Sequence, residues 1–163
     1  MKFNNTFETP KCPFDLSNDK QEKIRKKLAI LDSQELYFAT IAYDEFVYSE
    51  IEKLKVSEIE NVDKLLLAGI AKPQSFFAHL HNNNEECLTF PDHHHFTEKD
   101  ILEIKNKANN KIIITTEKDY VRLKGTISKE QLFYLPIQSK FISEGGNFDK
   151  IITNYVEFSS RNS

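Results

Sequence analysis

An α/β layered fold with a mainly parallel sheet is predicted by three features of this chain of 163 residues. Apolar runs alternate with amphipathic segments, so strand and helix signals take turns from residue 17 to residue 158. Two of the strand-to-helix junctions, at Thr97 and Thr116, carry helix-start chemistry. The length suits one domain, expected over 17–158, with 1–16 as an irregular lead-in and 159–163 as a tail.

In chain order, Asn, Thr, Pro10 and Pro13 punctuate the lead-in. From Ser17 to Leu31, Ile24, Leu28 and Leu31 recur at helical spacing among Lys and Arg, which predicts an amphipathic surface helix. Residues 36–43, LYFATIAY, follow an Asp32-Ser33 break and read as a strand. The charged stretch 44–63 is a connector or a short edge strand, an excursion from the layered unit. Lys64 to Ile70 is a strand terminated by Gly69, and Phe76, Phe77 and Leu80 then mark one face of a helix. Residues 85–90 and 111–116 are strands, with a helix over 97–109 turning Ile101, Ile104 and Ala108 inward. Thr97 caps that helix, with Glu98 and Asp100 in its first turn, and Thr116-Glu117-Lys118-Asp119 repeats the device. Pro136 inside 131–141 suggests an edge or broken strand. Phe148, Ile152 and Tyr155 predict a closing helix over 147–158.

Composition narrows the function classes. The 22 Lys and Arg against 25 Asp and Glu give a net charge of −3, without the positive field of a nucleic-acid binder. The two cysteines, Cys12 and Cys87, form no CxxC, and a reducing cytoplasmic setting is the simplest reading. The opening MKFNNTFETPKCPF lacks a secretory pattern, and no window approaches 18 uncharged apolar residues.

Phe90-Pro91-Asp92-His93-His94-His95-Phe96 is the densest candidate site, with three imidazoles beside a carboxylate just before a helix start. Successive side chains of an extended segment diverge, so no dedicated metal site is expected there. Two readings stay open: a polar catalytic or ligand-contacting role, or a structural loop with Asp92 capping amides and one histidine packed on Phe96. The Thr116–Asp119 block stands at a strand end, where ligands of parallel sheets collect, or is a plain helix cap. Lys72, after Gly69, is a candidate phosphate contact, and Lys11-Cys12-Pro13 is either a ligand edge or a turn. No GxxxxGK[ST], GxGxxG or GxSxG occurs.

The ordered blocks KCPFDLS at 11–17, LLLAGIAKPQSFF at 65–77, FPDHHHFTEKDI at 90–101 and IIITTEKDYVRL at 112–123 resemble the tetraacyldisaccharide 4'-kinase (lipid A 4'-kinase) family. The closing NFDKIITNYVEFSSRN is similar to members from the Bacteroidetes group. The resemblance covers nearly the whole chain and implies the carboxy-terminal portion of a P-loop-kinase-like fold. It implies transfer of the ATP γ-phosphate to the 4'-hydroxyl of tetraacyldisaccharide 1-phosphate in lipid A biosynthesis, with Mg²⁺. A histidine of the FPDHH block, His93 or His94, is implied to activate the sugar hydroxyl together with an acidic residue preceding this region. Asp92, Thr116, Glu117, Lys118 and Asp119 become supporting or site-rim residues, and Lys11 and Lys72 weaker cofactor contacts.

The family's phosphate loop has no match here, so this chain alone is expected to be inactive and to bind neither ATP nor Mg²⁺ tightly. The implied partners are the glycolipid and the remaining amino-terminal kinase portion. The implied location is the cytoplasm, or the periphery of the cytoplasmic face of the inner membrane. Lys20, Lys23, Arg25, Lys26 and Lys27 give the first helix a basic side, read first as the solvated face of a packed helix and second as a contact for anionic lipid. A non-catalytic nucleotide- or glycolipid-binding remnant and a histidine-metal hydrolase are the competing readings.

Overall fold

A computed structural model describes residues 16–31, 34–80, 85–142 and 145–161. The lead-in over 1–15, with Lys11 and Cys12, lies outside the described residues. The elements run α1 (Asn18–Lys27), β1 (Ala39–Tyr43), β2 (Phe46–Tyr48), β3 (Lys53–Lys55), β4 (Lys64–Ala68), α2 (Gln74–Leu80), β5 (Glu86–Thr89), α3 (Glu98–Ala108), β6 (Ile112–Thr116), α4 (Glu117–Leu123), β7 (Leu132–Leu135), β8 (Ile137–Phe141) and α5 (Gly145–Arg161). Two compact units emerge, Tyr43–Ile137 and a second drawn from both ends of the chain.

The larger unit is the layered α/β fold. Its sheet has the order β3-β2-β7-β6-β4-β5, in which β4 to β7 are parallel and β2 runs antiparallel to both neighbours. All five residues of β4 are buried, because helices cover both faces of the central strands. On one face Leu65, Leu67 and Ile113 pack with Ile104 and Ala108 of α3 and with Tyr120 and Leu123 of α4. On the other, Leu66, Ala68, Ile114 and Phe133 pack with Phe76 and Leu80 of α2. The alternation along β4 thus feeds two cores at once.

The segment 131–141 is broken at Pro136, one of the two expected outcomes, and its first half is not an edge. Its first half, β7, is an interior strand between β6 and β2, registered through Ile114↔Phe133 and Tyr48↔Tyr134. Pro136 stands in the single-residue gap before β8, where its missing N–H removes no ladder bond. The 44–63 excursion supplies the β2–β3 hairpin, and the edge strand β3 exposes Lys53 and Lys55, charges that discourage further pairing.

In the smaller unit, β1 and β8 form a two-stranded sheet, and Phe148 of α5 packs edge-on to Tyr37 at 5.3 Å between ring centres. α1 stops at Lys27, short of the expected Leu31, and none of its residues is buried. The expected strand over 36–43 begins only at Ala39. α5 runs from Gly145 to Arg161, longer than expected, so part of the anticipated tail is helical. No helix among the described residues is long and apolar enough to cross a membrane.

Candidate functional site

From β4 the chain passes to β5 on one side and then crosses to β6 on the other, so the carboxyl ends of β4 and β6 flank a reversal of strand order. Such a point is where open α/β sheets take ligands. Three loops leave this edge: Gly69–Pro73 after β4, Phe90–Thr97 after β5 and the Thr116 junction after β6.

Asp119 closes the gap between two of them. Its side chain is fully buried, and Oδ2 accepts from the Gly69 amide at 2.7 Å and the Thr116 hydroxyl at 2.8 Å. The Thr116 hydroxyl in turn accepts from the Asp119 amide at 3.2 Å, the predicted cap. Oδ1 has no hydrogen-bond partner among the described residues and lies 3.6 Å from Arg122 Nη1. Asp119 is therefore a clasp beneath the site, which goes beyond the plain-cap reading of the block. Gly69 is required for the close approach, since a Cβ there would stand 3.1 Å from Asp119 Oδ1. Gly69→Ala is expected to cost about 1–2 kcal/mol, measured by urea denaturation, because the buried carboxylate has little room to yield.

The histidine turn rests on α4. Lys118 Nζ reaches Asp92 Oδ1 at 2.5 Å, a bond that links segments 26 residues apart and holds the Asp92 carboxyl below its usual range. Arg122 Nη1 donates to the His94 carbonyl at 3.3 Å. Asp92 Oδ1 also accepts the His93 amide at 3.0 Å. Asp92 thus has a fixed partner that the sequence does not reveal, and the turn is gripped at two points by one helix.

The two leading histidines differ sharply. His93 has φ +59°, a left-handed conformation uncommon for a residue with a Cβ, and its side chain is 79 % exposed, with Nε2 3.7 Å from Asp92 Oδ2. His94 is half-buried, stacked on Phe90 at 5.0 Å and edge-on to Phe96 at 5.4 Å, with Nε2 2.9 Å from Asp100 Oδ2. The amide-capping Asp92 and the histidine packed on Phe96 are both present, so the structural features of the loop coexist with an accessible imidazole. His95 is exposed.

Asp100 completes the Thr97 capping box of α3. Hydrogen bonds from the Thr97 hydroxyl, then the Thr97 amide and His94, lower its pKa from 3.8 to about 2. A depressed pKa stabilises the fold above the unfolded value, and that contribution disappears as pH falls from about 4 to about 2. Asp100→Asn is expected to flatten the acid loss of stability in that window, read by thermal melts at stepped pH.

Lys72 is exposed in the β4–α2 loop, and Glu117 is exposed on the first turn of α4. Among the described residues no group of three His, Cys, Asp or Glu side chains is placed to hold a metal ion. Asp100 and Arg122 are the site-edge residues that motif reading undervalued. Asp100 was legible as a cap but not as a histidine partner, and Arg122 sits three residues after Asp119 with no local signal of its reach.

The family model for tetraacyldisaccharide-1-P 4'-kinase matches residues 12–157. A tetraacyldisaccharide 4'-kinase of Flavobacterium psychrophilum is 54 % identical over 154 residues, covering 93 % of this chain and 45 % of the relative. The corresponding protein of Bacteroides thetaiotaomicron is 32 % identical, covering 94 % of this chain and 46 % of the relative. The chain therefore spans about half the length of the curated relatives it matches. In fold it is similar to LpxK from Aquifex aeolicus, whose crystal structure is a complex with ATP; the TM-score is 0.53 at 19 % identity, over 77 % of this chain and 38 % of that one.

Proposed function

The chain belongs to the tetraacyldisaccharide-1-P 4'-kinase family, and from that membership we propose that it is the carboxy-terminal portion of an enzyme phosphorylating the 4'-hydroxyl of a tetraacylated disaccharide 1-phosphate. The observation that supports a working site is the histidine turn itself. A strained, accessible His93 is held at the carboxyl edge of a parallel sheet by Lys118 and Asp92. Strain kept at such an edge is a mark of function. His93 is the group that meets the sugar hydroxyl and takes up its proton, and His94 supports it from within.

ATP and Mg²⁺ belong to the complete enzyme in this reading. The residues here do not fit them on their own: no Gly-rich phosphate loop is in the sequence, and no ligating trio is among the described side chains. Lys72 is a rim contact at most, and Thr116, Glu117, Lys118 and Asp119 hold the platform. Peripheral contact with the cytoplasmic face of the inner membrane forms part of the same proposal, supported by the basic side of α1.

Reconstitution tests the reading. Co-produced with the complementary portion of the Flavobacterium psychrophilum relative, this chain is expected to restore ATP-dependent phosphorylation of the glycolipid. Activity of that portion unaffected by adding or omitting this chain contradicts it.

A further inference from the structure

We infer that Asp100 is a positioning residue that keeps the imidazole proton of His94 on Nε2 and thereby makes His94 the anchor of the turn presenting His93. The inference deepens the proposed role of the turn and rests on it. Its basis is hydrogen-bond direction. Asp100 Oδ2 lies 2.8 Å from the Thr97 amide and 2.7 Å from the Thr97 hydroxyl. The amide can only donate. The hydroxyl oxygen already accepts from the Asp100 amide at 3.3 Å, which turns its hydrogen toward Oδ2. Facing those donors Asp100 is an ionised carboxylate, whose oxygens can only accept, so His94 Nε2, at 2.9 Å from Oδ2, carries a hydrogen and shares it with that oxygen. Whether the ring is neutral or charged, Nε2 keeps its hydrogen, and in the neutral ring Nδ1 carries the lone pair. The low pKa of Asp100 accords with this geometry.

The rest of His94 is pinned in the same way. Its amide donates to the Pro91 carbonyl at 3.2 Å, its carbonyl accepts from Arg122 at 3.3 Å, and Phe90 and Phe96 pack on its ring. The groups facing it that carry charge are Asp100 from α3 and Arg122 from α4. With both sides of the peptide at 93–94 fixed, His93 is held in its left-handed conformation. The phenylalanine cage and Asp100 thus use one histidine to aim the other.

The test is ¹⁵N NMR of the intact chain, reading the ring nitrogens of each histidine at about pH 8, where unperturbed imidazoles are neutral. His94→Gln identifies the His94 signals. The expected spectrum has a protonated Nε2 and bare Nδ1 for His94, with a slowly exchanging Nε2–H, and averaged tautomers for His93. In Asp100→Ala the His94 pair is expected to average, and its N–H to exchange about tenfold faster. The amide shifts of α3 should persist, because Thr97 still caps it. A bare Nε2, an averaged His94 pair in the wild type, or an unchanged His94 signature in Asp100→Ala overturns the inference. If Asp100→Ala does not fold, the wild-type spectrum decides. None of these readings uses ATP or turnover, so failure here is distinguishable from failure of the kinase assignment.

Discussion

Replacing Lys64 by alanine is expected to destabilise the larger unit by about 3–5 kcal/mol, the loss typical of breaking one partner out of a buried ion pair. The side chains of Lys64 and Glu85 are 1 % and 3 % exposed and meet at 2.5 Å. The ammonium also donates to the carbonyls of Ile59, Glu60 and Val62, at 3.1, 3.0 and 3.3 Å. Removing it takes a cation from beside a buried carboxylate and hydrogen bonds from three carbonyls together. Since domains are stable by only about 5–15 kcal/mol, the loss is a large share of the whole. Urea denaturation followed by far-UV circular dichroism measures it. A change below about 1 kcal/mol would mean that the pair is hydrated and contributes as a surface pair does.

The position of this pair separates stability from function. It secures the amino end of β4, whereas the histidine turn, Gly69 and Thr116 all lie at the carboxyl end. Lys64→Ala is therefore expected to lower stability with little effect on the catalytic parameters of whatever fraction remains folded.

The second large effect is on turnover. In the reconstituted enzyme His93→Gln is expected to lower kcat by about 10²–10⁴-fold, the range for a positioned proton acceptor, with a smaller change in KM. Lys118→Met should act more gently on the same parameter, because it releases Asp92 without removing the imidazole. The size of the loss separates the two: His93→Gln removes the proton acceptor outright, while Lys118→Met leaves it in place and should retain part of the rate. Steady-state phosphorylation of the glycolipid reads both. Equal activity of His93→Gln and wild type would remove His93 from the chemistry.

Much of this architecture was legible in the sequence, for local reasons. The runs at Lys64–Ala68 and Ile112–Thr116 are strands because they are apolar and β-forming. α3 and α4 start where Thr97 and Thr116 can cap them. Ile104 and Ala108 lie inward, as their spacing requires. What the sequence withheld is set by partners far along the chain. Residues 132–135 become interior only because the β2–β3 hairpin folds over their outer side, and no local pattern reports that pairing. Lys64 looks like a polar strand start until a turn at 59–62 wraps its carbonyls around it. Asp92 looks isolated because its cation lies 26 positions away on α4. The FPDHHHF and TTEKD blocks were each visible as motifs. Their union through Lys118 and Arg122 is a tertiary fact.

In the proposed function this chain presents the imidazole to the acceptor hydroxyl and the remaining portion of the enzyme holds the triphosphate. Calorimetric titration of the purified chain with ATP and Mg²⁺ tests that division most directly. The predicted result is no saturable heat from the chain alone, with saturation appearing once the complementary portion is present. Stoichiometric binding of ATP by the chain alone, lost on removing the γ-phosphate, would contradict it.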